Sequence, residues 1–93
     1  MNALIIKSLA TLSKDNRITV WHIGMYSAFI QLWHSGGCQN PVRITRRKVL
    51  ALSRIGNIVT YHKCIKELES FGYIDYKPSY NPYKGSTVYL KTI

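Results

Sequence analysis

The sequence predicts an α+β domain of three to four helices closed by a C-terminal β-hairpin. Its length is the first reason: 93 residues hold one compact core, and a composition of 46% hydrophobic and 18% charged residues suits a folded chain. Periodicity is the second. Apart from the alternating Val42-Arg43-Ile44, apolar residues recur at spacings of three and four up to about residue 71 and alternate thereafter. Polar and glycine-containing breaks separate the segments, and no internal repeat interrupts a single domain over residues 1–93.

Residues 1–14 carry Leu4, Ile5, Ile6, Leu9, Ala10 and Leu12, which suits one face of a short N-terminal helix, although Ile5-Ile6 would also open a strand. Lys14 to Arg17 breaks the pattern. Thr19 then stands where an N-cap would precede the run VWHIGMYSAFIQLW, and Ser35-Gly36-Gly37 stops it, giving a central helix over 19–35. Trp21, Met25, Ala28, Phe29 and Leu32 form one stripe along that helix. Ile23, Tyr26, Ile30 and Trp33 place apolar surface on its other sides, more than a small monomer readily covers.

Val42-Arg43-Ile44 alternates like a short strand, and Thr45 is positioned to cap a helix over 45–53 with Val49, Leu50 and Leu52 facing inward. Arg54-Ile55-Gly56-Asn57 reads as a turn, with Gly56 available for a positive φ and Asn57 for a cap. Over 57–71 the positions Tyr61, Cys64, Ile65, Leu68 and Phe71 repeat at three and four and face the core, and Gly72 ends the helix. Val59, His62, Lys63 and Lys66 occupy the opposite face. YIDYK and TVYLKT alternate on either side of the turn-rich PSYNPYKGS, which predicts a hairpin over 73–92.

Charge points to a partner. Thirteen Lys and Arg stand against four Asp and Glu, a formal charge of +9, and no carboxylate side chain lies between Asp15 and Glu67. A basic surface kept for solubility would have the same composition. Arg46, Arg47 and Lys48, however, fall in the first turn of a helix, where each cation opposes the helix dipole by about a few tenths of a kcal/mol. That placement makes most sense if an anion such as phosphate docks there.

Catalysis has little to work with. Glu67 and Glu69 are two residues apart on a helix and so on different faces, and Asp15 and Asp75 are remote in sequence. His22, His34, His62, Cys38 and Cys64 show no HxxxH or CxxC spacing, so neither a metal nor a cofactor is expected, and both cysteines read as reduced thiols with Cys64 in the core. Gly36-Gly37 lacks the strand-before, helix-after setting of a phosphate loop. The N-terminal stretch has no basic n-region with a cleavage-like site and the chain has no membrane span, so a cytoplasmic protein is expected.

The stretch ITRRKVLALSRIGNIVTYHKCIKELESFGYIDY followed by YNPYKGSTVYL resembles a winged helix–turn–helix domain, of the MarR-like or DnaD-like kind found in small bacterial regulators. LSRIGN fills the place of the turn, KELESFGYI the end of the recognition helix and NPYKGS the wing. The resemblance spans roughly residues 20 to 92. One departure is the wing, which has two prolines and three tyrosines with Lys77 and Lys84 as its cations, so minor-groove insertion of an arginine is not expected.

The resemblance implies sequence-specific binding of double-stranded DNA, in transcriptional or mobile-element regulation, without enzymatic activity. The major groove is ~12 Å wide and admits one helix, here residues 58–71. Asn57 and Thr60 would bond base edges or phosphate, Val59 would meet a thymine methyl, and His62, Lys63 and Lys66 share that outward side, the lysines reaching phosphate or guanine. Asn57 is equally a helix cap. Arg46, Arg47 and Arg54 suit phosphate clamps, joined in the basic set by Arg43, Lys48 and Lys84. Excess apolar surface on the first two helices suggests a homodimer, the competing arrangement being an N-terminal helix folded back to complete a monomeric core. Two other functions fit the same residues: a protein-interaction adaptor, or a single-stranded nucleic-acid binder stacking bases on Tyr73, Tyr76, Tyr80, Tyr83 and Tyr89.

Overall fold

A computed structural model describes residues 3–79 and 85–91 of the chain. Within them the order is α1 (Ala3–Ser13), α2 (Val20–Ser35), β1 (Val42–Ile44), α3 (Arg46–Ser53), α4 (Ile58–Ser70), β2 (Ile74–Lys77) and β3 (Ser86–Leu90). The protein is an α+β domain whose three strands form an antiparallel sheet in the order β1-β3-β2. The expected hairpin is therefore widened by the short strand ahead of α3, with Val42 paired to Val88 and Ile44 to Ser86. Alternation sends Val42, Ile44, Val88, Leu90 and Ile74 into the core. It leaves Arg43, Thr87 and Lys77 in register across the outer face.

Helices α2, α3 and α4 start where their capping chemistry allows. The Thr45 hydroxyl accepts from the Lys48 amide at 3.2 Å, and Asn57 Oδ1 accepts from the amides of Val59 at 2.7 Å and Thr60 at 3.4 Å. A cap of this kind contributes ~1 kcal/mol. At α2 the third helical residue reaches back instead: His22 Nδ1 accepts from the Thr19 backbone N–H at 2.9 Å. Because Nδ1 accepts, the neutral ring carries its proton on Nε2, which donates to Glu67 of α4 at 3.2 Å. His22 is buried, so this pair fastens the start of α2 to the middle of α4.

Two contacts set how close the elements come. A Cβ on Gly24 of α2 would lie 3.0 Å from the carbonyl oxygen of Ser53, so the absent side chain lets the end of α3 press against α2. Gly85 has φ +65°, and a Cβ there would lie 2.5 Å from the Ile44 carbonyl oxygen, so the chain can return into β3 directly over the end of β1. The far end of β3 is held by Asn40, whose side chain both donates to and accepts from the Leu90 backbone at 2.9 Å.

Three expectations need correction. The inward face of α2 is His22, Met25, Tyr26, Ala28, Phe29 and Trp33, rotated from the anticipated stripe, with Trp21 half exposed and Leu32 only partly covered. Neighbours on several sides, α1, α3, α4 and β1, select that face. Leu52 of α3 is exposed, because an eight-residue helix turns only Val49 fully inward and Leu50 partly. The left-handed residue of the turn is Arg54, with φ 62°, whose amide bonds to the Leu50 carbonyl; Gly56 keeps a negative φ. By contrast, Tyr61, Cys64, Ile65 and Leu68 of α4 are buried as the spacing requires. Ile5 and Leu12 of α1 are buried against α2, so Ile5-Ile6 belongs to a helix, with Ile6 exposed.

A polar latch joins the α1–α2 link to the end of α4. Asp15 accepts from Arg17 three times, from Nε at 3.0 Å, Nη2 at 2.7 Å and the backbone amide at 2.9 Å, and from the Tyr73 hydroxyl at 2.8 Å. The guanidinium lies 4.3 Å over the Phe71 ring. Hydrogen bonds from the Arg17 side chain first, then its backbone, then Tyr73, hold the Asp15 carboxyl far below its ordinary value of 3.8.

Replacing Gly85 by Ala is expected to destabilise the fold by ~2 kcal/mol or more, from left-handed strain plus the clash with Ile44. Gly37→Ala, at φ +84° with open space around it, is expected to cost only ~1 kcal/mol; urea denaturation of both variants checks the difference. The latch makes a pH-dependent contribution. Since folding depresses the Asp15 pKa, its stabilisation is complete above about pH 5 and is lost as pH falls through and below the unfolded value. The melting-temperature gap between wild type and Asp15→Asn is expected to be widest near neutrality and to close progressively below about pH 4.

Candidate nucleic-acid interface

Helices α3 and α4, with the left-handed turn at Arg54 between them, carry most of the chain's uncompensated charge. Arg46, Arg47 and Lys48 are exposed in the first turn of α3, Arg54 is exposed in the turn, and Lys63 and Lys66 are exposed along α4. No acidic residue lies in the first turn of either helix. The four carboxylates are all engaged elsewhere. Asp15 holds Arg17 and Tyr73, Glu67 holds His22, Glu69 accepts from the Tyr76 amide at 2.8 Å, and Asp75 pairs with Lys91 at 3.3 Å. Among the described residues, none of these six cations has an ion-pair partner.

The outward row of α4 is as the spacing requires: Val59, His62, Lys63 and Lys66 are exposed, with Val59 the most exposed apolar residue of the helix. Thr60 is half-buried beside them. Asn57 is the helix cap, its Oδ1 engaged by two amides, and that oxygen is already used within the helix start. Arg43 stands apart from the helical cations, on the outer face of the sheet beside Thr87 and Lys77. Lys84 lies outside the described residues, as do Tyr80 and Tyr83.

The sheet tyrosines do not assemble into one platform. Tyr73 is buried with its hydroxyl on Asp15, while Tyr76 and Tyr89 pair with Val88 and Asp75 and so point to opposite faces. Tyr76 instead borders an open groove of about 800 Å³ between the N-terminus of α3, the first turns of α4 and the base of the β2–β3 hairpin. Arg46, Arg47 and His62 line it on the helix side, and Pro78, Ser79 and Ser86 on the hairpin side.

Tyr61 forms part of the groove wall, a role that core periodicity does not reveal. It is only 3% exposed, and burial first, with Tyr76 second, pushes its pKa up to about 12 against a smaller opposite effect of Arg46. Its hydroxyl therefore remains a donor at neutral pH. Its ring packs edge-on to His62 with centroids 5.2 Å apart.

Other chemistry is sparse in the described residues. No group of three His, Cys, Asp or Glu side chains is placed to hold a metal ion. Cys64 is buried and Cys38 exposed, both as free thiols. No helix is long and apolar enough to cross a membrane. No family model matches the sequence, and neither the curated proteins nor the solved structures provide a match.

Proposed function

We propose that this chain is a winged helix–turn–helix protein that binds double-stranded DNA sequence-specifically, as a transcriptional or mobile-element regulator. In this reading α4 enters the major groove, α3 rests on the flanking backbone and the β2–β3 hairpin is the wing. The observation that carries it is the set of unpaired cations on α3, the turn and α4. A helix start loaded with Arg46, Arg47 and Lys48 is unfavourable on its own and becomes favourable against phosphate. Lys63 and Lys66 add charge along the helix, and Val59 offers an apolar contact for a thymine methyl.

The proposed assembly is a homodimer. Ile6 of α1 and Val20, Trp21 and Ile23 of α2 remain exposed after α1 has folded onto α2, Val20 at 74%. A two-fold pairing through these helices would set two α4 helices about one DNA turn, ~34 Å, apart and favour an inverted-repeat site.

Duplex affinity is expected to fall steeply with salt. Four to six phosphate contacts per subunit, as a rough figure, give a log–log slope of about −4 or steeper. Arg46→Ala with Arg47→Ala is expected to flatten the slope by ~2 and weaken all sequences alike, whereas Lys63→Ala with Lys66→Ala lowers affinity without changing the urea midpoint. A flat wild-type titration would instead favour a protein-binding adaptor.

Light scattering after size exclusion is expected to give twice the 10.7 kDa chain mass. Trp21→Glu, at an exposed position, is expected to return it to a monomer. A wild-type protein already at the single-chain mass would remove the dimer.

A further inference from the structure

Among the described residues, one buried side-chain polar atom has no hydrogen-bond partner: Nε1 of Trp33, near the C-terminal end of α2. Trp33 is only 6% exposed, and its indole nitrogen can act only as a donor. Buried polar groups are normally bonded, so this N–H calls for an acceptor that the fold itself does not supply. The ring that carries it lines an open cavity of about 610 Å³ between α1 and the end of α2. Ile5 of α1 and Ile30 of α2 extend the apolar wall, and Gln31 and His34 are among its exposed polar members. The chain leaving α2 supplies the remaining side. Gly37 and Cys38 both take left-handed conformations, with φ 84° and 60°, and the Cys38 amide donates to the Trp33 carbonyl at 2.9 Å. That return brings Cys38 back over the last turn, where it lines the cavity too.

The size of the cavity falls in the range of small-molecule sites. Its lining contains no Lys, Arg, Asp or Glu, so a charged group entering it would lose hydration with no opposite charge to replace it. An apolar body packs on Ile5, Ile30 and the indole ring, and an oxygen acceptor is what the orphaned N–H lacks. A carbonyl suits it better than a hydroxyl, because a hydroxyl would bring a second donor in need of a partner. We propose that this cavity binds a small uncharged apolar molecule with a carbonyl oxygen, such as an aryl ketone, and that this oxygen accepts from Trp33 Nε1. Because Nε1 is itself covered, the oxygen reaches it as the indole settles against the ligand, a side-chain adjustment common on binding. The site is separate from the α3–α4 surface and does not rest on the DNA-binding reading.

The test follows the two indole N–H resonances of the ¹⁵N-labelled full chain, from Trp21 and Trp33, with Trp21→Phe to assign them. Acetophenone is expected to move the Trp33 indole proton downfield while the Trp21 signal stays in place. Ethylbenzene, of the same size but without an acceptor, is expected to shift amides around the cavity and leave the Trp33 indole proton without that downfield move. Benzoate is expected to bind at least about ten-fold more weakly than acetophenone, because its charge has no partner there. Trp33→Phe, which keeps an aromatic ring and removes the donor, is expected to lower acetophenone affinity about five-fold and to leave ethylbenzene affinity within about two-fold. A general loosening of the cavity would lower both alike, so the comparison between ligands isolates the hydrogen bond.

A Trp33 indole proton unmoved at saturating acetophenone, or moved equally by ethylbenzene, would overturn the proposal, as would equal losses of the two ligands in Trp33→Phe or tighter binding of benzoate. An indole proton that moves as protein concentration is raised without ligand would also overturn it, by assigning the cavity to a second copy of the chain.

Discussion

The burial of α2 against neighbours on several sides is the constraint on which the rest of the fold depends. Six of its residues, His22, Met25, Tyr26, Ala28, Phe29 and Trp33, are inside, and α1, α3, α4 and β1 all pack on it. Fully burying a large apolar side chain contributes ~1.5–3 kcal/mol, so this face dominates the stability of a small domain. Two details convert that general attraction into a specific placement. Gly24 lets the Ser53 carbonyl come within 3.0 Å of where a Cβ would stand, and the His22–Glu67 pair ties α2 to α4. Because α3 and α4 are both positioned from α2, the spacing of their outward cations follows from its packing.

Charge is distributed in the opposite sense to packing. The elements joined to α2 by apolar contacts turn their basic residues outward, while three of the four carboxylates are engaged at contacts between elements and the fourth, Asp75, pairs with Lys91 on the surface. Asp15 fastens the α1–α2 link to Tyr73, Glu67 fastens α2 to α4, and Glu69 accepts from the Tyr76 amide within β2. Among the described residues, Asp15, Glu67 and Glu69 thus join elements of the fold, and no ion pair compensates the cations of the α3–α4 surface. A surface of this kind raises the local concentration of polyanions and speeds encounter, whatever sequence they carry.

Some of this arrangement was legible in the sequence. In α4 the apolar residues recur at three and four with polar residues between them, so both its buried face and its outward row of Val59, His62, Lys63 and Lys66 follow from spacing alone. In α2 apolar residues occur all round, and periodicity could not choose between the face containing Trp21 and the one containing Tyr26 and Trp33; the neighbours chose. Glycine preference likewise pointed to Gly56 in the turn, but the short end of α3 places the left-handed conformation at Arg54. The groove was illegible for a different reason. It exists only after the chain returns through β2 and β3 to stand Tyr76 and Ser86 opposite Arg46 and Tyr61, and no local pattern encodes that meeting.

The proposed function places nucleic acid on the uncompensated α3–α4 surface. Amide chemical shifts of the labelled protein, followed as a mixed-sequence duplex is added at low salt, test it most directly. The expected result is that shifts concentrate at residues 45–48, 54 and 57–66, with residues of α1 and of the C-terminal half of α2 unmoved except through any change in assembly. Shifts centred on Ile6, Val20 and Trp21, or none at saturating duplex, would contradict it.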